Sequence, residues 1–243
     1  MKNQRVALVT GAAKGIGAAI ADELLKNSYL VLAVDKDEVK SRPNLVFYRA
    51  DLSINSEVSK IIPGCISEFG RIDVLVNNAA VSLGKDFLST DLQTWETTVA
   101  VNQTAPFFLS QMAAKKMIEL GISGRIVNIA SVNSVASEMG QSSYVTTKGA
   151  IAMMTKSMAV DLAKYKILVN GIAPGPILTE TSAPIFSQSN YVSAIENGVP
   201  LKRAGLPAEV ADLVIFLASE KATYITGQMI VIDGGFLAYC RMT

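Results

Sequence analysis

Seven short apolar runs, rich in β-branched residues, constrain the fold more than any other feature of the chain: 5–9, 30–34, 45–48, 72–76, 125–129, 167–170 and 229–232. They show little polar–apolar alternation, so neither face of such a strand is written for water. Strands of that kind belong to a parallel sheet covered by helices above and below. Parallel neighbours need long crossover connections, and segments 16–26, 92–120, 145–164 and 208–218 supply them, with apolar positions three and four apart on helix-forming sequence. The alternation predicts an α/β chain: a doubly wound sheet of about seven parallel strands with helices on both faces. A length of 243 residues, half of them apolar, suits one domain spanning 1–243.

Local punctuation refines the outline. Thr90 and Gln93 have capping-box spacing before the long helix, and Pro207 sits where a first helical turn tolerates proline. Segment 55–69 has helical character, but Pro63-Gly64 in its middle predicts a kink or break. The stretch between Asp35 and Leu45 is too short for a crossover helix and reads as an abbreviated loop. Residues 174–200 are rich in Pro, Ser, Thr and Asn. Within them, 176–200 is expected to be a mobile lid over a site, with an ordinary surface insertion as the alternative.

Several function classes drop out on composition. There is no histidine, which excludes a Ser-His-Asp triad, a histidine-ligated zinc and an imidazole proton shuttle. The formal net charge is +1 with no run of like charges, so neither nucleic acid nor an anionic membrane is an expected partner, and a small molecule is. Two distant cysteines, Cys65 and Cys240, suggest neither a disulfide framework nor a metal cluster, and fit a reducing cytoplasm. The apolar run after Arg5 stops at Thr10-Gly11, too short for a signal segment, and no stretch reaches membrane-spanning length.

The first strand runs into Thr10-Gly11-Ala12-Ala13-Lys14-Gly15-Ile16-Gly17 and then a helix. Glycines there allow a tight turn and a close approach of phosphate to backbone, and the helix N-terminus offers free N–H groups and positive dipole. The second strand ends at Asp35, whose carboxylate can accept hydrogen bonds from both ribose hydroxyls of an adenosine and so favours NAD over NADP. A 2′-phosphate about 5 Å from that carboxylate would meet repulsion of about 3 kcal/mol per unit charge at an effective dielectric near 20. Lys14 and Lys36 could offset it, or could simply be solvated surface lysines. Asp51-Leu52 and Asn77-Asn78-Ala79-Ala80 follow the third and fourth strands, at the strand ends where open α/β sheets hold ligands.

Tyr144 and Lys148 lie four residues apart at the start of a helical run and therefore on one face of it. Lowering a phenol from about 10 to about 7 takes roughly 4 kcal/mol. One ammonium about 4 Å away supplies a similar amount at an effective dielectric near 20. Tyr144 can then serve as a general acid and base near neutral pH, and Ser131, after strand 125–129, can hold the substrate oxygen.

Together these residues resemble the short-chain dehydrogenase/reductase family, from Val6 to Gly235. Thr10 to Gly17 is similar to its T-G-x-x-x-G-x-G, Asn77 to Ala80 to its N-N-A-G, Pro174-Gly175 to its P-G element, and Ser131, Tyr144, Lys148 and Asn102 to its catalytic set. The resemblance implies a Rossmann fold and hydride transfer between a nicotinamide and a secondary alcohol or ketone. Tyr144 would be the acid/base and Ser131 the carbonyl-orienting group. Lys148 would lower the phenol's pKa and bind the ribose, while Asn102 would hold a water that links Lys148 to solvent. It further implies dinucleotide contacts from Gly11, Lys14, Gly15, Ile16, Gly17, Asp35, Asp51, Leu52, Asn78, Ala79, Tyr144, Lys148, Pro174, Gly175, Ile177 and Thr179, and a homotetramer. No metal is implied.

Departures from the family pattern are Ala80 in place of a usual glycine, the short loop after Asp35, and Pro63-Gly64. Ser82, Asn133 and Gln141 are candidate substrate contacts; Asn133 and Gln141 lean toward a hydroxylated substrate, or are loop residues facing water. The apolar tail 236–243 is expected at a subunit contact or folded back on the sheet. Two other functions remain in view: an NADPH-dependent 3-oxoacyl (acyl carrier protein) reductase, which would want a basic cofactor pocket, and a non-catalytic dinucleotide-binding protein, which would have a broken catalytic trio.

Overall fold

The structure is a computed structural model that describes residues 4–239. Its seven strands are β1 (Val6–Thr10), β2 (Leu30–Asp35), β3 (Leu45–Arg49), β4 (Val74–Asn77), β5 (Arg125–Ile129), β6 (Leu168–Pro174) and β7 (Met229–Ile232). All pairings are parallel, in the order β3-β2-β1-β4-β5-β6-β7. The chain winds outward from β1 to β3, then returns to β4 and winds the other way. The crevice above the C-terminal ends of β1 and β4 is therefore the switch point where such sheets bind ligands.

The doubly apolar strands have the cause inferred for them. In β1, Val6 and Leu8 point into one core, and Ala7 and Val9 into the other. Helices α2 (Asn55–Phe69), α4 (Ala105–Glu119) and α5 (Ser142–Leu162) cover the first with residues such as Ile61, Leu109 and Ala159. Helices α1 (Gly15–Lys26) and α8 (Pro207–Ala218) cover the second with Ile20, Leu24, Val210 and Val214. Truncating a fully buried leucine such as Leu8 in either layer would cost about 2–5 kcal/mol.

Several local expectations need correction or detail. Thr90 and Gln93 do not make the cap: α3 (Leu92–Val99) is capped by Asp91, which accepts from the Thr94 N–H at 2.7 Å, because a carboxylate meets N-terminal donors directly. Helix α2 runs unbroken through Pro63. Gly64 is there for packing, since a Cβ on it would sit 2.6 Å from the Tyr48 ring of β3. The single helix expected over 92–120 is divided by a π-helical turn, Ala100–Thr104, before α4. Segment 176–200 holds two helices, α6 (Ala183–Phe186) and α7 (Ser189–Gly198), and the 36–44 connection contains no helix, as its length requires. The tail is described to Tyr239, with Phe236 beside Gly198; Cys240 and Met242 lie outside the described residues.

Candidate active site

A cavity of about 650 Å³ opens at the C-terminal ends of the central strands. Its wall includes Asp35, Lys36, Asp51 and Leu52 after β2 and β3, Gly11, Lys14, Gly15 and Ile16 after β1, and Ser131, Tyr144 and Lys148 from β5 and α5. Asn78, Ala79, Pro174, Gly175, Ile177 and Thr179 complete it. Dispersed over the whole chain, these residues meet because each follows a strand of one parallel sheet.

The glycine-rich turn is held from behind. Asn78 donates from Nδ2 to the carbonyls of Thr10 and Gly11 at 2.9 and 3.0 Å, and Thr10 Oγ1 accepts from the N–H groups of Asn78 and Ala79. The amide of Asn78 thus braces the turn. Gly17 is structural as well and does not line the cavity: a Cβ there would lie 2.0 Å from the Gly11 carbonyl oxygen, so only glycine lets α1 pack against the turn. Gly15 does face the cavity, with φ +58, and a Cβ on it would meet the Thr179 side chain at 3.3 Å. Bare backbone N–H groups at a helix start, beside Asp35 and a long cavity, form a donor set that fits a dinucleotide.

The cradle's polar groups are engaged by the chain's own carboxylates. Asp35 accepts from the N–H groups of Ala13 and Asp37 at 2.9 and 3.0 Å. Lys14 stands 3.5 Å from the Asp37 carboxylate, and Gly15 donates its N–H to Glu180 Oε2 at 3.0 Å. Asp51 accepts from the hydroxyl and N–H of Ser53, which hold its carboxyl below the usual range. Glu180 had no signal in the sequence, because its partner lies 165 residues away.

At the other end, Ser131 Oγ accepts the Asn133 N–H at 3.1 Å, capping a short 3-10 turn, and Ser131 shares the cavity wall with Tyr144. Lys148 is buried, donates to the Ile129 carbonyl at 2.8 Å, and lies 5.4 Å from the centre of the Tyr144 ring. Burial brings the Lys148 ammonium down to about 8. Burial also pushes the Tyr144 phenol above its ordinary value; the Ser131 side chain draws it back and the Glu138 carboxylate pushes it up again. Desolvation thus outweighs the lowering expected from Lys148, whose ammonium faces the Ile129 carbonyl.

Asn102 lies in the π-helical turn, and its side chain is a brace. It accepts the Val81 N–H at 2.8 Å and donates to the Val81 carbonyl and Thr147 Oγ1 at 2.9 and 3.2 Å. Both amide protons are thereby spent, so the expected water relay has no free donor on this side chain. Asn77 is also structural, bridging Ser110 and Asn128 across the sheet ends, with Asn128 passing the chain on to Thr155.

The substrate candidates are not brought to the cavity wall. Ser82 donates to Gln141 at 2.6 Å, so the two satisfy each other. Asn133 is buried, and its amide donates to Glu138 at 3.1 Å. Thr181, Val81 and Val101, which sequence reasoning did not select, line the wall instead. Among the described residues no cluster of His, Cys, Asp and Glu could hold a metal, and no helix is long and apolar enough to cross a membrane.

Residues 11–237 match the family described as enoyl-(acyl carrier protein) reductase. The chain is 36% identical to the 3-oxoacyl-[acyl-carrier-protein] reductase of Aquifex aeolicus, over 95% of this chain and 96% of that protein. It is 37% identical to the 2-(R)-hydroxypropyl-CoM dehydrogenase of Xanthobacter autotrophicus, over 96% and 99% respectively. Among solved structures, a 4-hydroxyisoleucine dehydrogenase complexed with NADH superposes with a TM-score of 0.94 at 33% identity, covering 98% of this chain and all of that one.

Proposed function

This chain belongs to the short-chain dehydrogenase/reductase family and is an oxidoreductase of CH–OH or keto groups that uses a nicotinamide dinucleotide; from that premise we propose that it transfers a hydride between NAD(H) and a secondary alcohol or its ketone, with Tyr144 as acid and base. The carrying observation is that Ser131, Tyr144, the buried Lys148 and the Gly15 cradle share one cavity with Asp35. Bound NAD supplies the hydride acceptor.

In the oxidising direction Ser131 and Tyr144 hold the alcohol oxygen, and the Tyr144 phenolate takes its proton as the hydride leaves the carbinol carbon. Reduction returns that proton from the phenol. Lys148 gives one hydrogen bond to the Ile129 carbonyl and retains two N–H donors for a nicotinamide ribose. A second ammonium-facing anion or hydroxyl there would draw Lys148 toward its charged form and Tyr144 toward phenolate. Ile177 and Thr179 contact the nicotinamide carboxamide, and 176–200 acts as a lid on the 1–243 domain. Asn102 serves as a positioning residue.

Asp35, backed by Asp37 against Lys14, supports NAD rather than NADP, because a 2′-phosphate would face two carboxylates. That speaks against an NADPH-dependent 3-oxoacyl reductase, the activity named for the Aquifex relative. An intact Ser131–Tyr144–Lys148 trio argues against a non-catalytic dinucleotide-binding protein. A homotetramer is supported by the exposed apolar side chains Phe107, Phe108, Met153 and Val160 on α4 and α5. Buried, free Cys65 suits a cytoplasmic setting.

Thermal melting with NAD, NADH, NADP and NADPH tests the proposal, since a ligand at 100 times its Kd adds about 2.7 kcal/mol to stability. NADH is expected to stabilise more than NADPH, and a panel of secondary alcohols to reduce NAD. Equal or larger stabilisation by NADPH overturns the cofactor choice, and no response to any dinucleotide overturns the function.

A further inference from the structure

Glu180 belongs to no catalytic or cofactor role derived above, yet its carboxylate sits at the N-terminus of α1, an anion position. Its Oε2 accepts the Gly15 N–H at 3.0 Å, at the first residue of the twelve-residue helix α1. A helix start presents unpaired N–H groups and positive dipole, and the N-cap residue Lys14 makes no side-chain hydrogen bond to α1. Glu180 therefore does for the ligand-free helix what a phosphate does in a nucleotide complex.

The position of Glu180 along the chain gives this contact a consequence. Two residues before Thr179, Ile177 is buried and bridged to Gly205, with reciprocal hydrogen bonds from Leu178 to Gly205 and from Gly205 to Pro176 at 2.9 Å each. That is the fixed base of the lid. On the other side, Thr179 and Ser182 close a tight turn, in which the Thr179 N–H donates to Ser182 Oγ at 2.8 Å, and the turn leads into α6 and α7. Glu180 stands in that turn, exposed apart from its grip on Gly15. It clasps the base of the lid to the nucleotide cradle.

We infer that Glu180 is an intramolecular stand-in for the cofactor's pyrophosphate: it ties the 176–200 lid to the α1 N-terminus in the ligand-free protein and is displaced by the incoming dinucleotide. Phosphate oxygens and a carboxylate cannot share one N–H, and two anions at one helix start repel each other. Cofactor binding therefore releases the lid turn. The inference rests on the dinucleotide function proposed above.

The test compares the wild-type protein with Glu180→Gln and Glu180→Ala. NADH titrated by calorimetry should bind both variants about 3- to 10-fold more tightly, the span expected for one anion at a helix N-terminus. Amide hydrogen exchange, read without any dinucleotide, should be faster across 180–198 in the variants than in the wild type. Inorganic pyrophosphate should raise lid exchange in the wild type and leave the variants unchanged. Equal or weaker NADH affinity in the variants, or lid exchange that neither substitution nor pyrophosphate alters, overturns the clasp. Should the wild type bind no dinucleotide while pyrophosphate still frees its lid, the clasp stands and the function falls.

Discussion

The two ends of the cavity satisfy their polar groups in opposite ways. At the nucleotide end the donors of Ala13, Lys14 and Gly15 meet Asp35, Asp37 and Glu180, carboxylates on partly or fully exposed segments. At the Tyr144 end Lys148, Asn102, Thr147 and Asn128 are buried and bonded to other buried side chains or to main-chain carbonyls. Exposed charge-assisted contacts exchange readily, because water and a ligand compete for them on similar terms. Buried ones hold, because breaking them leaves a polar group unpaired in a low dielectric. The fold keeps one end open to exchange and the other preorganised.

The largest effect that could break this comparison is at Tyr144. Tyr144→Phe removes only the transferable proton, so turnover should fall by roughly 10²–10⁴-fold while NADH binding, set at the other end, stays near wild type. Steady-state kinetics alongside a binding titration decide it. Retained turnover removes Tyr144 from the chemistry, and lost NADH binding shows that the ends are not separable.

Lys148 sharpens the cost of the preorganised end. Its folded pKa, about 8, lies below the ordinary 10.5, so the folded protein disfavours the ammonium. Between those values the unfolded chain binds more protons, and stability rises with pH; below pH 8 the penalty is complete. Lys148→Met removes that penalty, so its stability relative to the wild type should fall by about 3 kcal/mol as pH rises from 8 to 10.5, and it should be inactive. Denaturant melts at several pH values check it, and a pH-independent gap would show that the buried charge is not what costs stability.

The smallest effect falls on the boundary between the ends. Glu138 raises the Tyr144 phenol, so Glu138→Gln should lower it and shift the rise of alcohol-oxidation rate with pH toward lower pH. The effect is modest because Glu138 is exposed and screened. A pH–rate profile that does not move removes Glu138 from the electrostatics of the site.

Much of the fold was legible because its signals are local. The doubly apolar strands marked a covered parallel sheet, the glycines at 11, 15 and 17 marked a turn into a helix, and the four-residue step from Tyr144 to Lys148 marked one helical face. Pro63-Gly64 does not break α2, and Gly64 answers to Tyr48, on another element. Thr90 and Gln93 misled because Asp91, between them, is the stronger acceptor. Ser82, Gln141 and Asn133 were chosen as polar residues near the site, but polarity along a chain does not say whether a neighbour in space has already taken the hydrogen bond.

By itself, then, the sequence determined the class of sheet, the order of its elements and which residue types could do hydride-transfer chemistry, since these rest on periodicity and spacing within about twenty residues. Tertiary structure alone decided which polar groups are braces and which are free. It made Asn78, Asn102 and Gly17 parts of the frame, and it set Glu180 on the α1 N-terminus. A hydrogen bond depends on position to within a fraction of an ångström, and for partners as much as 165 residues apart that position exists only once the sheet has brought its strand ends together.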